Sequence, residues 1–181
     1  VAQFKVIRSE KSEFLFKGVD ADLYILAWTT TPWTLPSNTA LAINQFIKYE
    51  VVRTFNPYSG EPVNVILAKD RRDTYLPSAN EGLSLEDYKP GDKKIPFKVI
   101  GEYQGSMLEG VRYEQLFPWV KPEGDAFRVV IGDFVTTEDG TGVVHIAPTF
   151  GADDDRAAKA SGISPMILRD KNNNPEPMVD R

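Results

Sequence analysis

Turn-forming residues interrupt this chain so often that no long helical period survives, and what remains between them is short and β-rich. Leu23-Tyr24-Ile25-Leu26-Ala27-Trp28 is a near-continuous apolar run, the pattern of a strand covered on both faces. Ala40–Ile43 and Tyr49–Phe55 read as further strands. The turn Asn56-Pro57-Tyr58-Ser59-Gly60 leads from the second of these into Val63–Ala68, which predicts a hairpin. Phe97–Tyr103, Phe127–Ile131 and Val143–Ala147 complete the series. Two short helices are predicted, Arg71 to Leu76 and Asp153 to Ser161. The latter is Asp-rich at its start, Ala-rich within and closed by Gly162. Residues 77–92 have no period and read as a surface excursion. The expected architecture is one β-rich α+β domain over residues 1–181, barrel-like, with a few short peripheral helices.

Composition removes several classes of function. There are no cysteines and a single histidine, His145, which excludes disulfide scaffolds, thiolate metal sites and multi-histidine zinc sites. No apolar run approaches the ~20 residues of a membrane span. The net charge of −5 argues against an autonomous nucleic-acid binder, since phosphate neutralisation dominates such affinities. It leaves room for a domain whose nucleic acid is held mainly elsewhere in a larger protein. Val1-Ala2-Gln3-Phe4-Lys5-Val6-Ile7 reads as a strand entered partway along, and Asn172 to Pro177 as a turn at which the chain stops. Both suggest an insert taken from a longer polypeptide.

Two segments carry chemistry. The first, Trp28-Thr29-Thr30-Thr31-Pro32-Trp33-Thr34-Leu35-Pro36-Ser37-Asn38, follows directly on the buried strand. Neither proline can donate to a ladder, and each biases its predecessor to an extended conformation, so a fixed non-helical loop is expected here. Three threonines at that exit offer hydroxyls that both donate and accept, suited to a polar substrate or a water. The plainer reading is that Thr is a good strand residue, the prolines make a rigid corner, the tryptophans are core or wall, and Asn38 is a turn residue.

The second segment runs Gly140-Thr141-Gly142-Val143-Val144-His145-Ile146-Ala147-Pro148-Thr149-Phe150-Gly151-Ala152-Asp153-Asp154-Asp155. Its carboxylates open a helix, where the dipole and unpaired N–H groups favour the ionised form, so one of them could hold a substrate ammonium. Alternatively Asp153 is an N-cap, its neighbours only complement the dipole, and His145 is an interior side chain. Adjacent helix positions point about 100° apart, which is not a loop-type ion site, and metal is set aside. The nucleophile elbow, the P-loop and the dinucleotide fingerprint are all absent. The residues alone support a β-rich domain with a polar cleft.

Together the two segments resemble the signature of the editing domain inserted into the class I aminoacyl-tRNA synthetases for isoleucine, valine and leucine. The threonine-rich stretch is similar to that of the isoleucine member, because the valine and leucine members carry Thr-Thr-Arg-Pro where Thr31 stands here. Gly140 to Pro148, with Gly151 and Asp153-Asp154, is similar to the second motif, about 110 residues further on. The resemblance implies an excised insert that performs post-transfer editing, hydrolysing the ester of valine on the 3′ end of isoleucine tRNA. One missing methylene separates substrates by only ~1–3 kcal/mol, and the isoleucyl enzymes are the standing illustration of that limit.

By the same resemblance, Asp154 binds the α-ammonium, with Asp153 beside it in the binding set. His145 limits the pocket's size. Thr29, Thr30 and Thr31 line the site, Thr30 and Thr31 contacting the substrate carbonyl or the water. Trp33 forms a wall, and Asn38 is a polar group needed for editing. The implied partners are the tRNA and the rest of the synthetase. ATP serves only the absent synthetic domain, no cofactor is implied in this one, and the setting is cytoplasmic. Ser37 stands where Ala or Gly is common, and Thr149-Phe150 replaces variable residues. Lys69, Arg71, Arg72, Lys93 and Lys94 are candidate tRNA contacts on local charge alone, with a solvated face the plainer reading.

Overall fold

A computed structural model describes residues 1–178. In chain order the strands are β1 (Ala2–Lys5), β2 (Leu23–Ala27), β3 (Ala40–Ile43), β4 (Lys48–Phe55), β5 (Pro62–Ala68), β6 (Lys98–Gln104), β7 (Arg128–Ile131), β8 (Val144–Ile146), β9 (Ile167–Arg169) and β10 (Pro175–Pro177). The helices are α1 (Arg72–Tyr75), α2 (Gly105–Leu108) and α3 (Ala152–Ala160), with several 3-10 turns between. The strands form a five-stranded sheet in the order β1-β2-β5-β4-β6, a three-stranded sheet β7-β3-β8 and the hairpin β9-β10.

The expected β4–β5 hairpin forms because Asn56 closes the turn with its side chain, accepting from the N–H groups of Tyr58 (2.8 Å) and Ser59 (3.1 Å). The apolar run of β2 is continuous because its sheet is covered on both faces. Ile25, Val51 and Ile66 pack on one side with Phe4 and Leu15, while Leu26, Val52, Val65 and Leu67 pack on the other with Phe97. Each such burial contributes roughly 2 kcal/mol. Glu50 is buried on the second face, where Arg72 pairs with it at 3.1 Å. Burial nonetheless pushes the Glu50 carboxyl up, against the pull of that guanidinium.

The two larger sheets meet at the Gly-Thr-Gly turn. Ala68 donates its N–H to the Thr141 carbonyl (2.9 Å), and the Thr141 hydroxyl donates to the Leu26 carbonyl (2.7 Å). The Tyr49 hydroxyl donates to the Gly142 carbonyl at 2.7 Å. Isolated bridges Trp28↔Val144, Val6↔Tyr113 and Arg112↔Arg128 carry the chain from one sheet to the other. The β-rich α+β expectation therefore holds, but among the described residues no continuous ladder closes a barrel. The barrel-like character rests on single bridges.

Three local expectations differ. Residues 32–37 are not a non-helical loop but a 3-10 helix, Pro32–Ser37. Pro32 sits at its first position, where no N–H is needed and φ is already set. The chain does not stop in a turn after Asn172, because β10 pairs antiparallel with β9. The N-cap of α3 is Gly151 rather than Asp153.

Gly142 brings the turn hard against the end of β5. Its φ is +74°, and a Cβ there would lie 2.4 Å from the Ala68 Cβ. Gly142→Ala is expected to destabilise the fold by about 2 kcal/mol or more, combining a left-handed backbone penalty with a steric clash. Urea unfolding checks this, and a change below about 0.5 kcal/mol would mean that the turn does not lock the sheets together.

Candidate functional site

The end of β2, the first turn of the 3-10 helix, β8 and the start of α3 converge on a cavity of about 330 Å³. Thr29, Thr30, Thr31 and Thr34 line one side, with Trp28. Val144, His145 and Ala147 line another, and Phe150, Gly151 and Asp154 complete it. The bridge Trp28↔Val144 sets this arrangement, since it places the residues after Trp28 beside those after Val144.

Most hydroxyls here are already engaged. The Thr31 N–H donates to Thr29 Oγ1 (3.0 Å), and Thr34 Oγ1 donates to the Thr31 carbonyl (2.8 Å). Thr31 Oγ1 lies 3.3 Å from both Thr29 Oγ1 and Thr34 Oγ1. The Thr30 hydroxyl has no hydrogen-bond partner among the described residues, so it can serve a ligand.

His145 is buried at the back. Its Nε2 is 3.0 Å from Thr34 Oγ1, and its Nδ1 is 3.3 Å from Asn38 Nδ2. Asn38 also donates to the Ala40 carbonyl (2.8 Å) and accepts from the Tyr113 hydroxyl (2.7 Å). Burial drives the imidazole pKa from 6.5 down to about 4, so the ring is neutral at pH 7.

Asp154 occupies the third position of α3, and its carboxylate turns back to accept the Ala147 N–H at 2.8 Å. Gly151 leaves it room, as a Cβ there would lie 3.2 Å from the Asp154 Cγ. Burial raises the Asp154 pKa, the Ala147 N–H lowers it, and the Asp153 charge raises it again. The other carboxylate oxygen remains for a cation.

Of the residues singled out from sequence, Thr29, Thr30, Thr31, His145 and Asp154 line the cavity. Asn38 sits behind His145 rather than on the wall. Trp33 is 52% exposed and does not line the cavity. A 3-10 helix eclipses residues three apart, so Thr34 shares the side of Thr31 and Trp33 does not. Asp153 is exposed and ion-paired with Arg156, while Asp155 pairs with Lys159 at 2.6 Å. The three carboxylates thus diverge, and among the described residues no group of three or more acidic or imidazole side chains gathers to hold a metal.

Sequence reading passed over Thr34, Phe150 and Tyr113. Thr34 and Phe150 lay within the motifs, whereas nothing local signalled Tyr113. Among the basic candidates, Lys69 pairs with Glu102, Arg72 with Glu50, and Arg71 donates to the Gly140 carbonyl at 2.8 Å. Lys93 and Lys94 flank a separate surface hollow beside Asp87 and Asp92.

No family model matches the chain. It is 56% identical to the isoleucine–tRNA ligase of Porphyromonas gingivalis over 181 residues, covering 99% of the chain and 16% of that protein. The isoleucine–tRNA ligase of Cytophaga hutchinsonii is 54% identical, across 100% of the chain and 16% of its own length. That of Clostridium tetani is 42% identical, over 88% and 13%. The chain therefore spans about a sixth or less of the length of these relatives. Among solved structures, the leucyl-tRNA synthetase CP1 domain GlLeuRS-CP1 superposes with a TM-score of 0.62 at 19% identity, covering 87% of this chain and 56% of that one. The Plasmodium knowlesi cytosolic leucyl-tRNA synthetase editing domain gives 0.62 at 14%, covering 88% and 62%. These structures share the fold.

The depressed pKa of His145 couples the site to stability. Because the unfolded imidazole takes up its proton near 6.5 and the folded one only near 4, stability falls as pH drops through that window. The full shift corresponds to about 3 kcal/mol. Urea midpoints measured at pH 7 and pH 5 should differ more for the native chain than for His145→Gln. An identical pH dependence in the two would show that the imidazole is not held neutral by its surroundings.

Proposed function

We propose that this chain, which belongs to the isoleucine–tRNA ligases as their CP1 editing segment, hydrolyses the aminoacyl ester of mischarged Val-tRNA(Ile). The observation that carries this reading is one cavity faced by an uncommitted hydroxyl on Thr30, a half-committed carboxylate on Asp154 and a neutral imidazole wall. The α-ammonium of valine sits against the free oxygen of Asp154. The Thr30 hydroxyl donates to the ester carbonyl or orients a water, with Thr31 and Thr29 holding its backbone in place. The water attacks the carbonyl carbon, the ester C–O bond breaks, and the 3′ hydroxyl of the terminal adenosine leaves with a proton. No protein nucleophile is required, and positioning with electrostatic preorganisation supplies the acceleration.

Specificity follows from size. A synthetic pocket cannot reject an amino acid one methylene too small by more than ~1–3 kcal/mol. A second pocket that valine enters and isoleucine does not multiplies that selectivity, and His145 supplies the obstructing wall. On this reading the partners are the 3′ end of tRNA(Ile) and the remainder of a cytoplasmic ligase. On this reading the domain uses neither ATP nor a metal, since hydrolysis of the ester by water is downhill. The acidic net charge fits a module whose tRNA is held by the rest of the enzyme.

In the ligase that carries this segment, Asp154→Ala is expected to slow Val-tRNA(Ile) deacylation by about tenfold to a hundredfold, the value of a charge-assisted hydrogen bond. His145→Ala is expected to admit Ile-tRNA(Ile) to hydrolysis. Deacylation of Val-tRNA(Ile) that survives Asp154→Ala undiminished would remove that carboxylate from the site. Absence of any Val-tRNA(Ile) deacylation by the native ligase would end the hydrolase reading altogether.

A further inference from the structure

Tyr113 lies outside both motifs, is 1% exposed, and does not line the cavity. It stands 75 residues from Asn38 in sequence, yet its hydroxyl donates to Asn38 Oδ1 at 2.7 Å. That contact has a consequence for every proton in the wall behind the substrate. With its oxygen accepting from Tyr113, the Asn38 amide presents its NH₂ to the other side. One proton goes to the Ala40 carbonyl at 2.8 Å, and the second points at His145 Nδ1, 3.3 Å away. Reversing the amide would give up both bonds at once, the one that Tyr113 donates to its oxygen and the one that its nitrogen donates to the Ala40 carbonyl.

An amide NH₂ has no lone pair to offer, so Nδ1 must be the bare nitrogen and Nε2 must carry the proton. That proton is accepted by Thr34 Oγ1 at 3.0 Å, whose own proton is donated to the Thr31 carbonyl at 2.8 Å. The chain of donors therefore runs one way, from Tyr113 through Asn38, His145 and Thr34 to the backbone of the threonine segment.

We propose that Tyr113 is a positioning residue which, through Asn38, locks His145 in its Nε2–H tautomer with both ring nitrogens bonded to protein and only ring carbon turned to the cavity. The proposal rests on the reading of His145 as the wall that excludes isoleucine. It adds the reason that wall is apolar and fixed. A ring with a free nitrogen could rotate, or offer a hydrogen bond to a polar ligand, and would no longer measure size alone. Tyr113 touches neither substrate nor water, and acts only through Asn38.

His145 is the chain's only histidine, so a chain labelled with ¹⁵N-histidine gives one imidazole signal set. At neutral pH the native chain should show a protonated Nε2 and a bare Nδ1. Tyr113→Phe removes the donor while keeping the ring, and should yield a mixture of tautomers. A native spectrum showing Nδ1–H overturns the proposal without any variant, and so does a Tyr113→Phe spectrum still wholly Nε2–H.

In the parent ligase, Tyr113→Phe should lower the preference for Val-tRNA(Ile) over Ile-tRNA(Ile) in deacylation by at least about tenfold. Val-tRNA(Ile) hydrolysis itself should stay within a few-fold of native. A fall in both rates with unchanged preference would make Tyr113 merely structural and overturn its role. The spectra need no tRNA, so a ligase that fails to deacylate Val-tRNA(Ile) while the tautomers behave as expected defeats the functional reading and not the lock.

Discussion

The docking of the Gly-Thr-Gly turn onto the five-stranded sheet is the constraint on which the site depends. Three hydrogen bonds fasten residues 141 and 142 to β2, β4 and β5, from Ala68, from Thr141 itself and from Tyr49. The Tyr49 phenol is buried enough to have its pKa pushed up to about 12, so it stays a neutral donor at pH 7. With the turn fixed, β8 must leave beside the end of β2, and the bridge Trp28↔Val144 follows. That single juxtaposition brings a threonine hydroxyl, an imidazole and a helix-start carboxylate from distant parts of the chain to one cavity. The geometry of the cavity is therefore a consequence of how two sheets are joined, more than of either motif taken alone.

Polar groups in the wall are almost all paired with one another, and the exceptions define what a ligand can touch. Thr34, Asn38, His145 and Tyr113 are buried and satisfied. Unpaired, each would cost about 1–3 kcal/mol. Thr30 and one oxygen of Asp154 are left over, and on the proposed reading they are the groups that would hold an ester carbonyl and an α-ammonium. Asp154 illustrates the compromise. Burial opposes its charge, yet one backbone N–H and the start of α3 support it, so its remaining oxygen faces the cavity with little else to satisfy it.

Much of this was legible in the residues. The buried run of β2, the Asn56 hairpin and the Asp-rich start of α3 each carry a local physical signature, and each appears in place. The threonine segment was harder. Two prolines within six residues argue against a helix, but Pro32 at a first helical position favours one, and the 3-10 geometry then turns Thr34 inward and Trp33 outward. Asp153 and Asp154 look equivalent as text, and only the placement of Ala147 relative to α3 separates the one that lines the cavity from the one paired with Arg156. Tyr113 was invisible for a deeper reason. Its role depends on a long-range contact with Asn38, and its own neighbourhood is ordinary core: Phe4 meets its ring edge-on at 5.2 Å.

On the proposed reading the cavity is a sieve for one methylene, and such a sieve needs stiffness more than affinity. If the wall could yield by an ångström at little cost, a larger side chain would enter, and the second pocket would discriminate no better than the first. Packed apolar side chains resist such movement through close contact. A hydrogen-bonded ring resists rotation as well, because turning it breaks two bonds and strands buried donors. Neutrality matters equally. A charged imidazole would draw water and anions into the pocket and would repel the ammonium that the proposed reading places at Asp154. Burying the ring while satisfying both nitrogens removes the charge and fixes the orientation together, so the same hydrogen bonds that stabilise the core behind β3 and β8 also set the dimension of the cavity in front of them.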